Sequence, residues 1–486
     1  MKTPSFLLPL VAAMVLAGCA SSGGLTPTGQ LRSTNTVSAD KSLSGTPISD
    51  AAWPARDWWT QLGDPQLNGL IDEALVGNPD LALVDARVQQ AAARSAGADA
   101  ARMPTVGAKA SLPGAQLPEE LVPFMGGNFG FLKMLTLNFN YTFDLWGGER
   151  AAWEAALGEQ RAVEVDAKAA RLSLSADVAR AYSQLSYAYQ AQDVARDDLA
   201  RASNLLELTR KRLKAGLDSE AQLHQGEADE ASAQQRMAQA NNAVESAQVA
   251  LASLLGQGPD RGLSLQRPQV LHPVALALPA NLPADLLGRR PDIVAARWRV
   301  EAASQNIKNA KAGFYPNVNL SAAVGLLSAH TSDLFQLSNR YALVTPAISL
   351  PIFDGGRLRA NLQSRDADYD LAVAQYNKTL VSAFNQVAEQ VHTLRSLDEQ
   401  EAAQQRALQA AKQAWDLAML RYKNGVGSYL EVLIVQKTLL TADLQLAAIH
   451  TQQIDNSVLL VRALGGGYSE PAPQHASTDA RAASTN

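Results

Sequence analysis

The chain has 486 residues, 47% apolar and 18% charged, with a formal net charge of −5. That is enough for two ordinary domains or one extended architecture. The mild acidity and the lack of any Lys/Arg-rich run argue against a nucleic-acid partner.

Lys2 starts a short charged region, and Phe6 to Leu16 is an apolar segment too short to span a bilayer permanently. It reads as a secretory signal over residues 1–18. The segment ends in Leu16-Ala17-Gly18-Cys19, similar to the bacterial lipobox, in which the Cys thiol is lipidated and becomes the new N-terminus. An ordinary signal followed by an incidental cysteine is the alternative. Cys19 is the only cysteine, so no internal disulfide is expected. Ala20 stands where the lipoprotein system uses Asp for inner-membrane retention, which implies delivery to the outer membrane. Residues 21–50 are rich in Ser, Thr, Gly and Pro and read as a flexible tether.

Beyond the tether the sequence is written twice. "NPDLALVDARVQQAAARSAGADAARMPTV" (78–106) aligns without a gap to "RPDIVAARWRVEAASQNIKNAKAGFYPNV" (290–318), so that Pro79, Asp80, Arg87 and Pro104 match Pro291, Asp292, Arg299 and Pro316. "RLKAGLDS" (212–219) matches "RYKNGVGS" (421–428), and Leu255-Gly256 matches Leu464-Gly465. The expected organisation is one repeat over 61–256, a crossing over 257–283, a second repeat over 284–465 and a disordered tail over 466–486.

Each repeat has the same predicted order. A helix of roughly 25 residues starts at the Pro-Asp pair, where Pro suits a first turn and Asp the helix dipole. Pro104 or Pro316 stops it. Two strands follow, 105–112 and 131–145 in the first repeat, then 316–326 and 342–353 in the second. After Gly147-Gly148 and Gly355-Gly356 come long helices, 147–214 and 356–423, then a Gly-containing turn and return helices over 217–256 and 427–463. Pro259, Pro268, Pro273, Pro279 and Pro283 make the crossing non-helical. A helix over 147–214 would be roughly 100 Å long. Val178, Tyr182, Leu185 and Tyr189 put an apolar stripe along it. A coiled-coil seam is one reading; a wall of Ala-rich, close-packed helices with one wet face fits the broad apolar pattern better.

"LTLNFNYTFDLWGG" (135–148) alternates almost without error, with Leu135, Leu137, Phe139, Tyr141 and Phe143 on one face and Thr136, Asn138, Asn140 and Thr142 on the other. About 11 residues suit a tilted transmembrane strand. A soluble sheet packed on the helices is the competing reading. Four strands cannot close a barrel, and lipid tolerates no open edge. Several copies must then share one: two give eight strands, and three give twelve with room for an aqueous lumen. The connections 113–130 and 327–340 would face outward.

"LAGC", "WW" followed by "LNGLIDEAL", "YTFDLWGGERAAWEAA", "RRPDIVAARWRVEAA" with "GFYPNVNL", and "LPIFDGGRLRANL" together resemble the TolC-type outer-membrane efflux proteins, in the lipoprotein branch similar to OprM and NodT. The resemblance implies a mainly α protein with a small transmembrane β part: a homotrimer with a twelve-stranded β-barrel, a long periplasmic α-helical barrel and an equatorial region that residues up to 60 begin. It implies a passive duct exporting small molecules such as drugs, a periplasmic adaptor, an inner-membrane RND-type pump, and no cofactor beyond the covalent lipid on Cys19. A duct for type I protein secretion and a pore-less periplasmic scaffold lipoprotein are the alternatives.

No enzyme chemistry is legible. The six His residues show no ligand spacing, and no phosphate loop or nucleophile elbow occurs. Neither a metal nor a catalytic residue is expected. Gly216 and Gly425 suit the left-handed backbone that ends a helix, and Ser219 and Ser428 the start of the next. By resemblance these tips dock the adaptor, through Arg212, Leu213, Gly216, Leu217 and Ser219 with Arg421, Gly425, Val426 and Ser428. Asp218, Glu220, Tyr429, Glu431 and Lys437 are the candidates for a polar entrance, with Asp218, Glu220 and Glu431 giving it a negative potential. Ile434 stands where relatives often carry Asp.

Overall fold

The structure, a computed structural model, describes residues 24–33, 41–46, 53–116, 129–275, 278, 282–328 and 331–470. The signal segment and Cys19 lie outside them. After a 3-10 turn at Trp58–Leu62 come α1 (Pro65–Gly77), α2 (Pro79–Ala100), β1 (Thr105–Ser111), β2 (Gly114–Gln116), β3 (Phe129–Phe131), β4 (Lys133–Phe143), α3 (Gly148–Lys214) and α4 (Glu220–Leu254). Then follow α5 (Asp260–Leu263), α6 (Leu282–Arg289), α7 (Pro291–Ala312), β5 (Asn317–Ser328), β6 (Arg340–Ser349), α8 (Arg357–Lys423) and α9 (Tyr429–Ala463). Corresponding helices of the two halves are equal in length: 22 residues in α2 and α7, 67 in α3 and α8, and 35 in α4 and α9.

Three expectations change. The crossing is not wholly non-helical, because α5 and α6 interrupt it. Pro259 immediately precedes α5, and Pro283 sits in the first turn of α6, where a missing N–H breaks no helical bond. The 113–130 connection is not all loop, since β2 and β3 pair as a short second hairpin. The chain also stays ordered past Gly465: Gly466 N–H donates to Val461 O and Glu470 N–H to Gly288 O.

The chain forms two compact units. One contains the described residues within 24–31, 87–164 and 295–377, and holds the sheet. Its four main strands lie in the order β1-β4-β5-β6, all antiparallel. The register sorts the side chains by face. Ala108–Leu137–Val324–Ala342, Val106–Phe139–Ala322–Val344 and Phe143–Val318–Ile348 run across one face. Lys109–Thr136–Gly325–Tyr341 and Thr105–Asn140–Ser321–Thr345 run across the other. The polar face is hydrogen-bonded between strands, by Ser321 Oγ donating to Asn140 Oδ1 at 3.0 Å and Thr142 Oγ1 donating to Asn319 Oδ1 at 2.8 Å. Gly325 is required there: a Cβ would fall 2.2 Å from Leu135 O. The apolar face is bare, with Val344 and Ile348 exposed. Pro346 lies on β6, an edge strand, where a missing donor is tolerated.

Over residues 25–30 the expected flexible tether is corrected in the same unit, while 21–23, 34–40 and 47–50 lie outside the described residues. Thr28 N–H, Thr28 Oγ1 and Gly29 N–H all donate to the Asp370 carboxylate of α8, and Asn377 Nδ2 donates to Gln30 O. Leu25 packs on the cluster of Ile307, Phe314, Leu358 and Leu362. Residues 25–30 are therefore a strap fixed along the N-terminal part of α8.

The other unit contains the described residues within 32–86, 165–294 and 378–470. Its largest core gathers Trp58, Leu62, Leu67 and Ile71 with Val178, Tyr182 and Leu185 of α3, Leu251 and Leu255, and Val458 and Val461 of α9. The apolar stripe of α3 thus faces a mixed core rather than a two-helix seam. Tyr182 OH donates to Asp64 Oδ2 at 2.6 Å, while Asp64 Oδ1 caps α1 by accepting from Gln66 N–H at 2.8 Å. Burial, followed by this bond to a carboxylate, pushes the Tyr182 phenol above its ordinary value.

Candidate functional site

Both helical hairpin tips belong to this second unit and are built alike. At the first, Gly216 (φ 74°) lets Gly216 N–H reach Leu213 O at 2.9 Å and Leu217 N–H reach Arg212 O at 2.9 Å. At the second, Gly425 (φ 78°) lets Gly425 N–H reach Tyr422 O and Val426 N–H reach Arg421 O, both at 3.0 Å. Each is a full Schellman ending. The return helices start at Ser219, whose N–H donates to Gln222 Oε1 at 2.6 Å, and at Ser428, whose Oγ accepts from Glu431 N–H. Leu217 and Val426 occupy equivalent positions and are exposed.

The two tips differ in charge. Arg212 Nε lies 3.0 Å from Asp218 Oδ2, and these side chains are only 12% and 2% exposed. Arg212 Nη1 donates to Tyr422 O at 3.0 Å, and its guanidinium sits 4.5 Å from the Tyr422 ring centroid. A cation here also meets the negative end of α8. Tyr422 OH donates to Asp218 Oδ2 at 2.6 Å and lies 3.2 Å from Thr209 Oγ1. Burial, then the bond to Asp218, pushes the Tyr422 phenol up. By contrast Arg421 approaches Glu431 only to 4.0 Å, with both half exposed.

Asp218 and Tyr429 therefore leave the set of open entrance residues. Asp218 is consumed by two donors, and Tyr429 is buried with Leu205, Ala418, Tyr422 and Val432. Glu220, Lys437 and Ile434 are exposed, and Glu431 is half exposed. Lys437 lies on α9 away from the tip turn, and the structure does not bring it to the Arg212 cluster. Tyr422 was missed from sequence; its signal is that Tyr stands in "RYKNGVGS" where the first repeat has Leu213. Farther along the hairpins, buried Asp198 accepts from Arg236 Nη2 at 2.6 Å and from Gln436 Nε2 at 3.1 Å. Neighbouring Asp229 is pushed up by burial and by the Asp198 charge. Among the described residues no cluster of His, Cys, Asp and Glu could hold a metal ion.

The model of the outer membrane efflux protein family matches residues 70–257 and 282–466. The chain is 38% identical over 371 residues to the fusaric acid resistance protein FusA of Burkholderia cepacia, covering 74% of this chain and 69% of that one. It is 32% identical over 418 residues to the toluene efflux pump outer membrane protein TtgF of Pseudomonas putida, covering 86% and 87%. The crystal structure of the outer membrane protein VceC of Vibrio cholerae superposes with a TM-score of 0.80 at 37% identity, over 85% of this chain and all of that one. The chain belongs to the outer membrane efflux protein family and is an outer-membrane efflux channel subunit of the TolC type.

Proposed function

We propose that three copies form a passive duct that exports small molecules from the periplasm as the outer-membrane part of a tripartite pump, with an RND-type transporter and a periplasmic adaptor as partners. The observation that carries this reading is the sheet. One face is apolar from Ala108–Leu137–Val324–Ala342 to Phe143–Val318–Ile348, with Lys133 and Arg340 only at its far end, and its edge strands β1 and β6 each have a single partner among the described residues. An open edge is not tolerated in lipid, so β1 of one copy must pair with β6 of the next, and three copies give a twelve-stranded wall. The polar face with Thr105, Asn140, Thr142 and Ser321 lines the water.

Substrate is driven through the duct by the partner pump. The relatives' drug and solvent resistance supports small, hydrophobic or amphipathic cargo. Adaptor docking falls to the tips, where Leu217 and Val426 offer matching apolar contacts beside Arg421. Opening requires the first tip to leave the second, and Arg212–Asp218–Tyr422 resists that movement. Cys19 carries the lipid, close in sequence to the strap that Asp370 holds. The reading is tested by deleting the gene and profiling susceptibility to antibiotics, dyes and solvents. Increased susceptibility restored by the intact gene supports it; unchanged susceptibility with lost secretion of a protein favours the type I duct instead.

A further inference from the structure

Below the two central strands, in the unit that holds the sheet, lies a cavity of about 470 Å³ between the start of α3 and the end of α7. Its walls carry Trp146, Arg150 and Glu154 on one side and Lys308, Lys311 and Tyr315 on the other. Trp146 and Tyr315 are stacked, with centroids 4.7 Å apart and planes 21° from parallel, and both are exposed. Trp146 is held by its indole N–H, which donates to Pro316 O at 2.8 Å. Stacking and a fixed indole give a rigid aromatic ledge at the point where β4 ends and β5 begins.

Three cations share this cavity with one lining carboxylate. Arg150 Nε bonds Glu154 at 2.8 Å yet is 69% exposed, and Lys308 makes no ion pair among the described residues. The pKa of Asp366 of α8 is raised by burial and lowered by Lys311, and this residue does not line the cavity. The cavity therefore has an excess of positive charge beside amphipathic rings.

The helix geometry fixes which way the cavity opens. On α7, Ala302, Asn309 and Ala312 meet α3 through Gly158 and Gly148, whereas Ile307, Ala310 and Phe314 meet α8 through Leu358 and Leu362. At about 100° per residue these two directions are roughly 145° apart through Asn306 and roughly 215° apart through Lys308. In a closed ring of helices the wider arc is the outer surface. Lys308 and Lys311 both lie within it. Copies that join through β1 and β6 leave the middle of the sheet, and hence this cavity, uncovered.

We propose that this groove binds the phosphate headgroup of an anionic phospholipid of the periplasmic leaflet, one per chain, with Lys308, Lys311 and Arg150 on the phosphate. Trp146 and Tyr315 lie against the glycerol region, and the acyl chains continue up the apolar face past Phe143, Val318 and Ile348. Aromatic rings at the bilayer boundary and basic pockets below it are the chemistry such headgroups favour. The inference rests on the membrane placement of the sheet.

The test uses the full-length trimer, stripped of lipid in detergent and titrated with phosphatidylglycerol or phosphatidylcholine under native mass spectrometry. Phosphatidylglycerol is expected to saturate at one per chain and to bind at least about tenfold tighter than phosphatidylcholine, with the Lys308→Ala/Lys311→Ala variant losing that preference. Lys168→Ala, on an exposed α3 lysine outside the groove, should retain it. Equal binding of the two lipids, or unchanged preference in the double variant, overturns the proposal. Equally tight binding of inorganic phosphate that displaces phosphatidylglycerol would assign the groove to a free ion and overturn it too. A trimer that conducts in bilayers but shows no lipid preference contradicts this site alone and leaves the duct standing.

Discussion

Tyr422 OH donates to Asp218 Oδ2 across 2.6 Å, joining the turn of the first helical hairpin to the end of α8 in the second. The acceptor carboxylate is almost wholly buried and also holds Arg212. A hydrogen bond to a charged acceptor contributes about 1.5–3 kcal/mol. Tyr422→Phe should therefore raise the population of separated tips about tenfold or more. Limited trypsin digestion reads this directly, because Lys214 and Lys423 flank the two turns and are exposed. Cleavage at both sites should accelerate in Tyr422→Phe and Asp218→Asn, and the double variant should add little. An unchanged rate would show that the bond does not hold the tips.

Gly216 and Gly425 should each be costly to replace, and for a single reason. A Cβ at either position would meet nothing within 4 Å, so Ala introduces no clash. It does force an L-residue into the left-handed region, at a cost of about 1–2 kcal/mol. Gly216→Ala and Gly425→Ala should loosen the tips without lowering the yield of trimer, seen as faster hydrogen exchange in the last turns of α3 and α8. Exchange rates equal to the wild type would contradict the Schellman assignment.

The strap should be released by acid. Donation by Thr28 Oγ1, followed by that of the Gly29 and Thr28 N–H groups, holds the Asp370 carboxyl below its ordinary value. A lowered folded-state pKa gives stability that is present above the ordinary carboxylate range, near 4, and lost as pH falls through the lowered value. Nicking of residues 25–30 by an acid-active protease should rise as pH drops below about 4. Asp370→Ala should show the same nicking at neutral pH. A wild-type strap still protected well below that range would contradict the role of Asp370.

Leu217 and Val426 are exposed apolar side chains at equivalent positions of the two turns, and burying such side chains in an interface contributes about 1.5–3 kcal/mol each. Leu217→Ser with Val426→Ser should weaken adaptor binding by at least about tenfold while leaving trimer assembly intact, as measured by surface plasmon resonance. Unchanged affinity would move the docking surface away from the turns.

Much of this was legible because the informative signals are local. The Pro-Asp starts, the Gly-Gly junctions and the Gly turns place the helices to within a few residues. Alternation over 135–145 places β4, and the register then puts all its odd residues on one face. The burial of Asp218 was not legible, because one of its partners, Tyr422, lies 204 residues away in the other repeat. The strap was hidden for the same reason: Thr28 and Gly29 read as linker until Asp370, more than 340 residues later, is folded beside them. α1 has a clean helical pattern in Leu67, Leu70, Ile71 and Ala74 and a capping Asp64, but it is short and sits beside a tether-like composition that masked it.

The burial of Asp218 also narrows the expected charge selectivity, since only Glu220 and Glu431 remain open at the tips. The most direct measurement is single-channel conductance of the purified trimer in planar bilayers, with and without Arg212→Ala and Asp218→Ala. A trimeric duct held shut at its tips predicts discrete, weakly cation-preferring channels whose conductance rises severalfold in both variants. Absence of channels from intact trimers, or identical conductance in wild type and variants, would contradict it.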